Sequence, residues 1–313
     1  MYNIGIDLGG TNIKGAVVGE SGEILREASR RTETARGAER VMDQMAELIR
    51  ELENGLEISG VGIGCPGTVD NAAGVVRYAN NLGWAQVDLR GGLEARTGYA
   101  PQIANDANAA ALGEALAGCA KGAKSAVILT LGTGVGGGVV LDGKLLTGYT
   151  GAAAEPGHMV IVDGGAPCTC GRRGCLEAYA SATALIQMTK EAMARHPESK
   201  MHAVAAALGE VNGLVAFSAR DEQDAAGAEV VERYIHYLAL GVANVINLFF
   251  PEVVALSGGV ANQGERLLSE LSDKVRQQVY GGQYAEKHTR LALCTLGYQA
   301  GVIGAAMLNR SGG

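Results

Sequence analysis

Apolar and polar positions alternate or recur along this chain in a way that predicts most of its elements. Tyr2 to Ile6 reads as a strand, Asp7-Leu8-Gly9-Gly10-Thr11 as a turn, and Ile13 to Val18 as a second strand. A turn at Glu20 to Glu23 leads to a third strand near Ile24 to Ala28. Between Ala38 and Leu52 the period becomes helical, with Val41, Met45, Leu48 and Leu52 on one side. Ile58 to Ile63 predicts another strand, running into Cys65-Pro66-Gly67, and Pro101 to Ala104 a short extended piece. Asn105-Asp106 then opens an Ala-rich helix to about Leu116, with Asp106 expected as its N-cap.

A second strand set opens at Ser125. Ala126 to Leu131 ends in Gly132-Thr133-Gly134, a strand returns over Gly138 to Leu141, and Asp142-Gly143 makes a hairpin. Strand, glycine turn, returning strand and hairpin thus occur twice. An internal duplication follows, with two lobes that each offer a glycine-rich hairpin to a nucleotide. The expected lobes are 1–118, completed by a C-terminal helix at 298–313, and 119–297. The stretch from Ala152 to Cys175 is irregular, and helices dominate after Leu176. Val230 to Phe249 is a long apolar helix ended by Pro251, Val253 to Leu256 a strand, Glu265 to Val279 a helix, and Gly301 to Leu308 a last helix expected to return to the first lobe.

Composition narrows the functional classes. Of 313 residues, 47 are glycine, only 4% are aromatic, and 26 basic against 33 acidic residues give a net charge of -7. Nucleic acid and anionic membranes are poor partners for such a chain. The most apolar run, Ile235 to Phe250, holds His236, Asn244 and Asn247 and is too short and polar to span a bilayer. A strand pattern begins at Tyr2, so no leader is expected, and the cytoplasm is the expected compartment.

Four groups of residues carry candidate chemistry. Gly9, Gly10, Thr11 and Asn12, with Lys14 after them, suit phosphate oxygens, and Asp7 at a strand end suits a hydrated Mg²⁺. An ordinary hairpin with an Asp cap is the plainer alternative. Gly132, Gly134 and Gly137 match G-x-G-x-x-G, but a strand pattern follows where a dinucleotide fold requires a helix, so that reading is rejected. The Gly132-Thr133-Gly134 turn instead pairs with the first as a phosphate cradle; a loosened edge hairpin is its alternative. Asp106 suits a general base that accepts the proton of an attacking hydroxyl. His158, Cys168, Cys170 and Cys175 form a complete soft set for a closed, structural Zn²⁺ site, against the alternative of buried thiols and a satisfied histidine. Glu155 and Glu177 flank that loop and can meet sugar hydroxyls or merely solvent. His196, His202, His236 and His288 have no such company.

Ile6-Asp7-Leu8-Gly9-Gly10-Thr11-Asn12, Asn105-Asp106-Ala107-Asn108, Glu155-Pro156-Gly157-His158 and the run from Cys168 to Glu177 together resemble the glucokinases of the ROK family, over nearly the whole chain. The resemblance implies a two-lobed actin-like, ribonuclease-H-like α/β fold, ATP with Mg²⁺, a structural Zn²⁺, and a homodimer. It implies Asp106 as the base toward a sugar 6-hydroxyl. Asn105, Glu155, His158 and Glu177 become sugar contacts, with Asn80 and Gly67 contributing, and His158 serves both metal and sugar. Phosphates fall to Gly9-Gly10-Thr11 and Gly132-Thr133-Gly134, and the adenosine end to Gly258 and Gly259. Glucose is the first expectation. Fructose, mannose, N-acetylmannosamine, N-acetylglucosamine and a polyphosphate donor stay open. The family's repressor branch needs a DNA-binding segment before the first strand, for which Tyr2 leaves no room. Two departures are present: Pro156 stands where Ile or Leu is usual, and Gly297-Tyr298-Gln299-Ala300-Gly301 replaces Gly-Asn-Asp-Ala-Gly.

Overall fold

The computed structural model describes residues 1–282, 284 and 286–311. The chain divides into two compact units, one of Met1–Ile128, Gly138–Ala154 and Cys294–Gly313, the other of Leu129–Gly137 and Glu155–Leu293.

The first unit begins with β1 (Tyr2–Leu8), β2 (Asn12–Val18), β3 (Ile24–Arg31), α1 (Gly37–Glu53) and β4 (Ile58–Cys65). It continues through β5 (Thr68–Asp70), β6 (Val75–Ala79), β7 (Trp84–Asp88), α2 (Leu89–Thr97), β8 (Gln102–Asn105) and α3 (Asp106–Leu116). Then follow β9 (Ser125–Leu131), β10 (Val135–Leu141) and β11 (Lys144–Leu145), of which the stretch Leu129–Gly137 belongs to the second unit. The main sheet has the order β3-β2-β1-β4-β8. Its hairpin strands pair antiparallel, and β1–β4 and β4–β8 pair parallel.

Strand alternation assigns the two faces of this sheet. Ile4, Ile6 and Leu8 share one core with Val41, Met45, Leu48 and Leu52 of the amphipathic α1. Leu48 is fully buried there, so Leu48→Ala is worth about 2–5 kcal/mol. The opposite face carries Gly5 on β1 and Gly60, Gly62 and Gly64 on β4. A methyl group on Gly5 would stand 1.8 Å from the Val302 carbonyl oxygen, and one on Gly62 1.9 Å from that of Ala305. Those oxygens belong to α10 (Ala300–Ser311), the returning C-terminal helix. Part of the unusual glycine content therefore lets a helix backbone lie directly on a sheet. The same device joins α10 to α3, where a methyl on Gly304 would meet the Ala109 carbonyl oxygen at 1.6 Å.

The second unit is mostly helical: α4 (Glu177–Ala180), α5 (Ala182–Arg195), α6 (Met201–Leu208), α7 (Val215–Asp221), α8 (Ala225–Phe249) and α9 (Glu265–Gln278), with β12 (Val253–Ser257) and β13 (Arg290–Leu293). Asp224 caps α8 by accepting the Gly227 N–H at 2.8 Å, and Phe250 in the left-handed region ends it before Pro251. The second five-stranded sheet has the order β11-β10-β9-β12-β13, with β10–β11 antiparallel and β12–β13 parallel. Hairpin strands on one side and parallel strands on the other repeat the plan of the first sheet, as the duplicated glycine-turn pattern led us to expect.

Three differences from the sequence reading have physical causes. The strand expected from Gly138 begins at Val135, so Gly137, the last glycine of the G-x-G-x-x-G match, lies in a strand and not at the start of a helix. The N-cap of α3 is Asn105, not Asp106: Asn105 has extended φ/ψ of -60° and 147°, and its side chain accepts from Ala107 and Asn108 N–H. A three-stranded sheet of order β5-β6-β7 was not anticipated, because its strands are only three to five residues long, between connections rich in asparagine and glycine. No helix among the described residues is long and apolar enough to cross a membrane.

Candidate functional site

Residues singled out in the sequence gather into two groups, one in each unit. In the first unit they collect at the carboxyl ends of the parallel strands, where open α/β sheets bind ligands. Asp7 pairs in register with Lys14 across the first hairpin and with Gly64 on β4, and Asn105 pairs with Cys65 at the end of β8. Burial pushes the Asp7 carboxyl above the usual carboxylate range; Lys14 pulls it down and Asp106 pushes it up further. The two aspartates therefore feel each other's charge. The first turn of α10 passes Asp7 so closely that a methyl on Gly301 would lie 3.1 Å from its carboxyl carbon.

The first glycine turn is tight. Gly9 N–H donates to the Asn12 carbonyl at 2.9 Å, while Thr32 donates its N–H to Thr11 O at 2.8 Å and its hydroxyl to Gly9 O at 2.7 Å. Thr11 and Asn12 are exposed, and a methyl on Gly10 would meet the Asn81 carbonyl oxygen at 3.0 Å. The Lys14 ammonium stands 5.5 Å from the centre of the Tyr298 ring, so the Tyr298 departure supplies a cation–π contact. Asp106 begins α3, and its Oδ1 accepts the Ala107 N–H at 2.8 Å. Asn105 has its Oδ1 committed to the helix cap and donates Nδ2–H to the Gly67 carbonyl at 3.0 Å. Gly67 has φ of 91° and sits so close to Tyr78 O that a methyl would stand 2.1 Å away, so only glycine fits. Asn80 Oδ1 accepts from the Tyr78 hydroxyl at 3.2 Å.

In the second unit the turn Gly132-Thr133-Gly134 is held from outside. Gly132 O accepts the N–H of Ala182, and Thr133 O accepts the Thr183 hydroxyl at 2.8 Å, both from the start of α5. Glu177 Oε2 accepts the Val135 N–H at 3.0 Å, and a methyl on Gly134 would stand 2.3 Å from that same oxygen. Glu177 Oε1 accepts the Thr169 hydroxyl at 3.0 Å and lies 3.5 Å from Cys168 Sγ. One carboxylate thus joins the glycine turn to the cysteine loop. No local pattern announces this link, since Val135 is 42 residues away. Gly258 has φ of 87°, and a methyl there would lie 2.5 Å from Leu131 O; Gly259 opens a 3-10 turn with open space beside it.

His158, Cys168, Cys170 and Cys175 place their ligand atoms within 4.8 Å of one another. Cys170 and Cys175 sulfurs are 3.7 Å apart, and Cys168 Sγ is 3.7 Å from His158 Nδ1. The edge of a tetrahedron with ~2.3 Å metal–sulfur bonds is about 3.8 Å, whereas a disulfide requires ~2.05 Å. The donor set therefore fits a four-coordinate soft metal and not a disulfide. With Nδ1 on the metal side, Nε2 of His158 is left for another partner. Pro156 occupies the first position of a 3-10 turn, Pro156–His158, where a missing N–H costs nothing, and so the departure from Ile or Leu is absorbed. Glu155 reaches solvent, yet desolvation by the surrounding protein pushes its carboxyl up; His158 opposes the shift and Glu177 adds to it.

Two sheets of one strand order, each bearing a glycine turn at a strand end, define the class: a sugar-kinase fold of the actin-like superfamily. Within that class the chain belongs to the ROK family, whose family model matches residues 3–311. It is similar to the glucokinase of Thermotoga maritima, at 39% identity over 309 residues that cover 97% of this chain and 96% of that protein. Among solved structures, a ROK family glucokinase from Streptomyces griseus in complex with glucose and AMPPNP gives a TM-score of 0.77 at 34% identity over 100% of both chains. A ROK hexokinase from Thermus thermophilus gives a TM-score of 0.82 at 33% identity, covering 98% of this chain and 97% of that one.

Proposed function

We propose that this protein transfers the γ-phosphoryl group of ATP to the 6-hydroxyl of glucose. Membership of a family containing sugar kinases supports phosphoryl transfer to a hexose. The observation that carries the reading is Asp106 just past the carboxyl end of β8, with its Cα 3.6 Å from where a methyl on Gly64 of β4 would stand and its charge felt by Asp7. Asp106 orients the hydroxyl and takes its proton as the oxygen attacks phosphorus. Its Oδ1 is fixed by the Ala107 N–H, which leaves Oδ2 for the substrate. Orientation matters more here than basicity.

In this reading Gly9, Gly10, Thr11, Asn12 and Lys14 receive phosphate oxygens in one unit, and Gly132, Thr133 and Gly134 do so in the other. Gly258 and Gly259 receive the adenosine end. Asp7 holds the water shell of Mg²⁺, which when bound neutralises charge on the phosphates. Glu155, Glu177 and His158 Nε2 meet sugar hydroxyls. Asn80, Asn105 and Gly67 shape the sugar side, with the Asn105–Gly67 hydrogen bond fixing the strand ends. Zn²⁺ is the metal we assign to the four-residue set, where it supplies rigidity. A cytoplasmic homodimer without nucleic-acid partners completes the reading.

The test is ADP release by the metal-loaded protein across a sugar panel, with ATP and with polyphosphate as donors. Fastest turnover with glucose and ATP is expected. Equal rates with N-acetylmannosamine or N-acetylglucosamine would remove glucose from the proposal, and no ADP release with any hexose would remove the proposal itself.

A further inference from the structure

Outside the site, the first unit holds, among the described residues, a cluster of ligand-type side chains: the Glu114 carboxylate and the thiols of Cys119 and Cys294, with ligand atoms within 4.8 Å of one another. We propose that Cys119 and Cys294 form a reversible disulfide that fastens the start of the C-terminal segment to the end of α3.

The cluster is built differently from the His158 set. Glu114 is only 2% exposed, and both of its oxygens are already engaged. Oε2 accepts the N–H of Cys119 at 3.0 Å, the N–H of Thr295 at 3.1 Å and the Thr295 hydroxyl at 3.5 Å, and Oε1 accepts the N–H of Leu296 at 2.7 Å. A cation on this carboxylate would have to displace those donors and leave backbone N–H groups unsatisfied. The anion instead serves as a peg. One of its oxygens holds the backbone of Cys119 and the residue next to Cys294, so the two sulfurs are brought together whether or not they bond. Closing from within 4.8 Å to a bond of ~2.05 Å asks for side-chain rotation and a small adjustment of two connecting segments. Both thiols reach solvent in part, unlike the buried Cys65, so an oxidant has access to them.

The step balances with a low-molecular-weight disulfide as oxidant. One protein thiolate attacks a sulfur of that disulfide and expels a thiolate. The second protein thiolate then attacks the protein sulfur of the mixed disulfide and expels the other. Two protein thiols become one disulfide, one small disulfide becomes two small thiols, and a dithiol reverses the exchange. The bond would link two positions 175 apart in sequence, 119 and 294. Beyond it lies α10, which covers β1 and β4 and lies on α3, so oxidation suppresses local opening of that helix.

The experiment incubates the metal-loaded full chain with oxidised glutathione, alkylates it, and maps peptides by mass spectrometry without reduction. A cross-linked 119–294 peptide is expected, absent from Cys119→Ser and from Cys294→Ser, with no link to Cys168, Cys170 or Cys175. Oxidised wild-type protein should show slower hydrogen exchange over 300–311 and a higher melting temperature, both reversed by dithiothreitol and absent from either serine variant. Glutathione adducts without a cross-link would overturn the proposal. So would a second equivalent of bound metal that either serine variant loses, which would make the cluster a metal site. None of these readouts depends on kinase activity.

Discussion

The two glycine turns look alike in sequence and are supported in opposite ways. Gly9–Asn12 is held by its own hairpin and by Thr32, the residue just past the end of the neighbouring β3. Gly132–Gly134 is held by α5 and by Glu177, whose other oxygen holds Thr169 in the cysteine loop. The first turn is therefore part of a sheet, and the second is tied to the cysteine loop. A duplicated motif keeps its backbone form while its support diverges.

The comparison can be broken most forcefully at the chemistry beside the first turn. Asp106→Asn should lower turnover about 10²–10⁴-fold, the usual worth of a positioned base, and leave sugar affinity nearly unchanged in calorimetry. Unaltered turnover would sink that role. Next in size is metal removal. Chelation should speed hydrogen exchange over 155–177 and, through Glu177, at Val135, and weaken sugar binding about 10–100-fold, while Gly9–Asn12 exchanges as before. Equal loosening of both turns would end the contrast.

Glycine substitutions sharpen it further. Gly134→Ala puts a methyl 2.3 Å from Glu177 Oε2, whereas Gly132→Ala meets nothing within 4 Å. We expect the KM for ATP to rise about tenfold in the first, from roughly 1–3 kcal/mol of overpacking, and to stay within about threefold in the second. On the other side, Thr32→Ala removes one hydrogen bond to Gly9 O and should cost about 1 kcal/mol in denaturant unfolding.

The smallest effect lies next to Thr32. Hydrogen bonds from Arg40 and Arg36 hold the Glu33 carboxyl down at about 2, against an ordinary 4.5. Its folded value is below its unfolded one. The stabilisation is thus complete above pH ~4.5 and is lost as pH falls toward 2. The melting-temperature gap between wild type and Glu33→Gln should close over that window and shrink with added salt. A gap that persists at pH 2 would contradict it.

Local patterns were legible in the sequence, and distant partnerships were not. The strand β1, the period of α1 and the hairpin at Asp142-Gly143, both with positive φ, follow from residues a few positions apart. The clustering of His158, Cys168, Cys170 and Cys175 was readable for the same reason, since three of them fall within eight residues. Glu177 looked like a solvated or sugar-facing carboxylate, because its partner Val135 lies in another element. Glu114 drew no notice in an Ala-rich helix, its partners being 181 and 182 residues further on. Asn105 and Asp106 are both capable caps, and only backbone dihedrals decide between them.

The seat of α10 has a consequence for synthesis. Gly5 and Gly62 lie in the first fifth of the chain, yet the backbone that covers them comes from Val302 and Ala305. As the protein leaves the ribosome, one face of its earliest sheet stays bare until almost all of the rest has emerged. That exposed face is a natural ligand for a chaperone, and a premature stop upstream of residue 300 would leave it open for good.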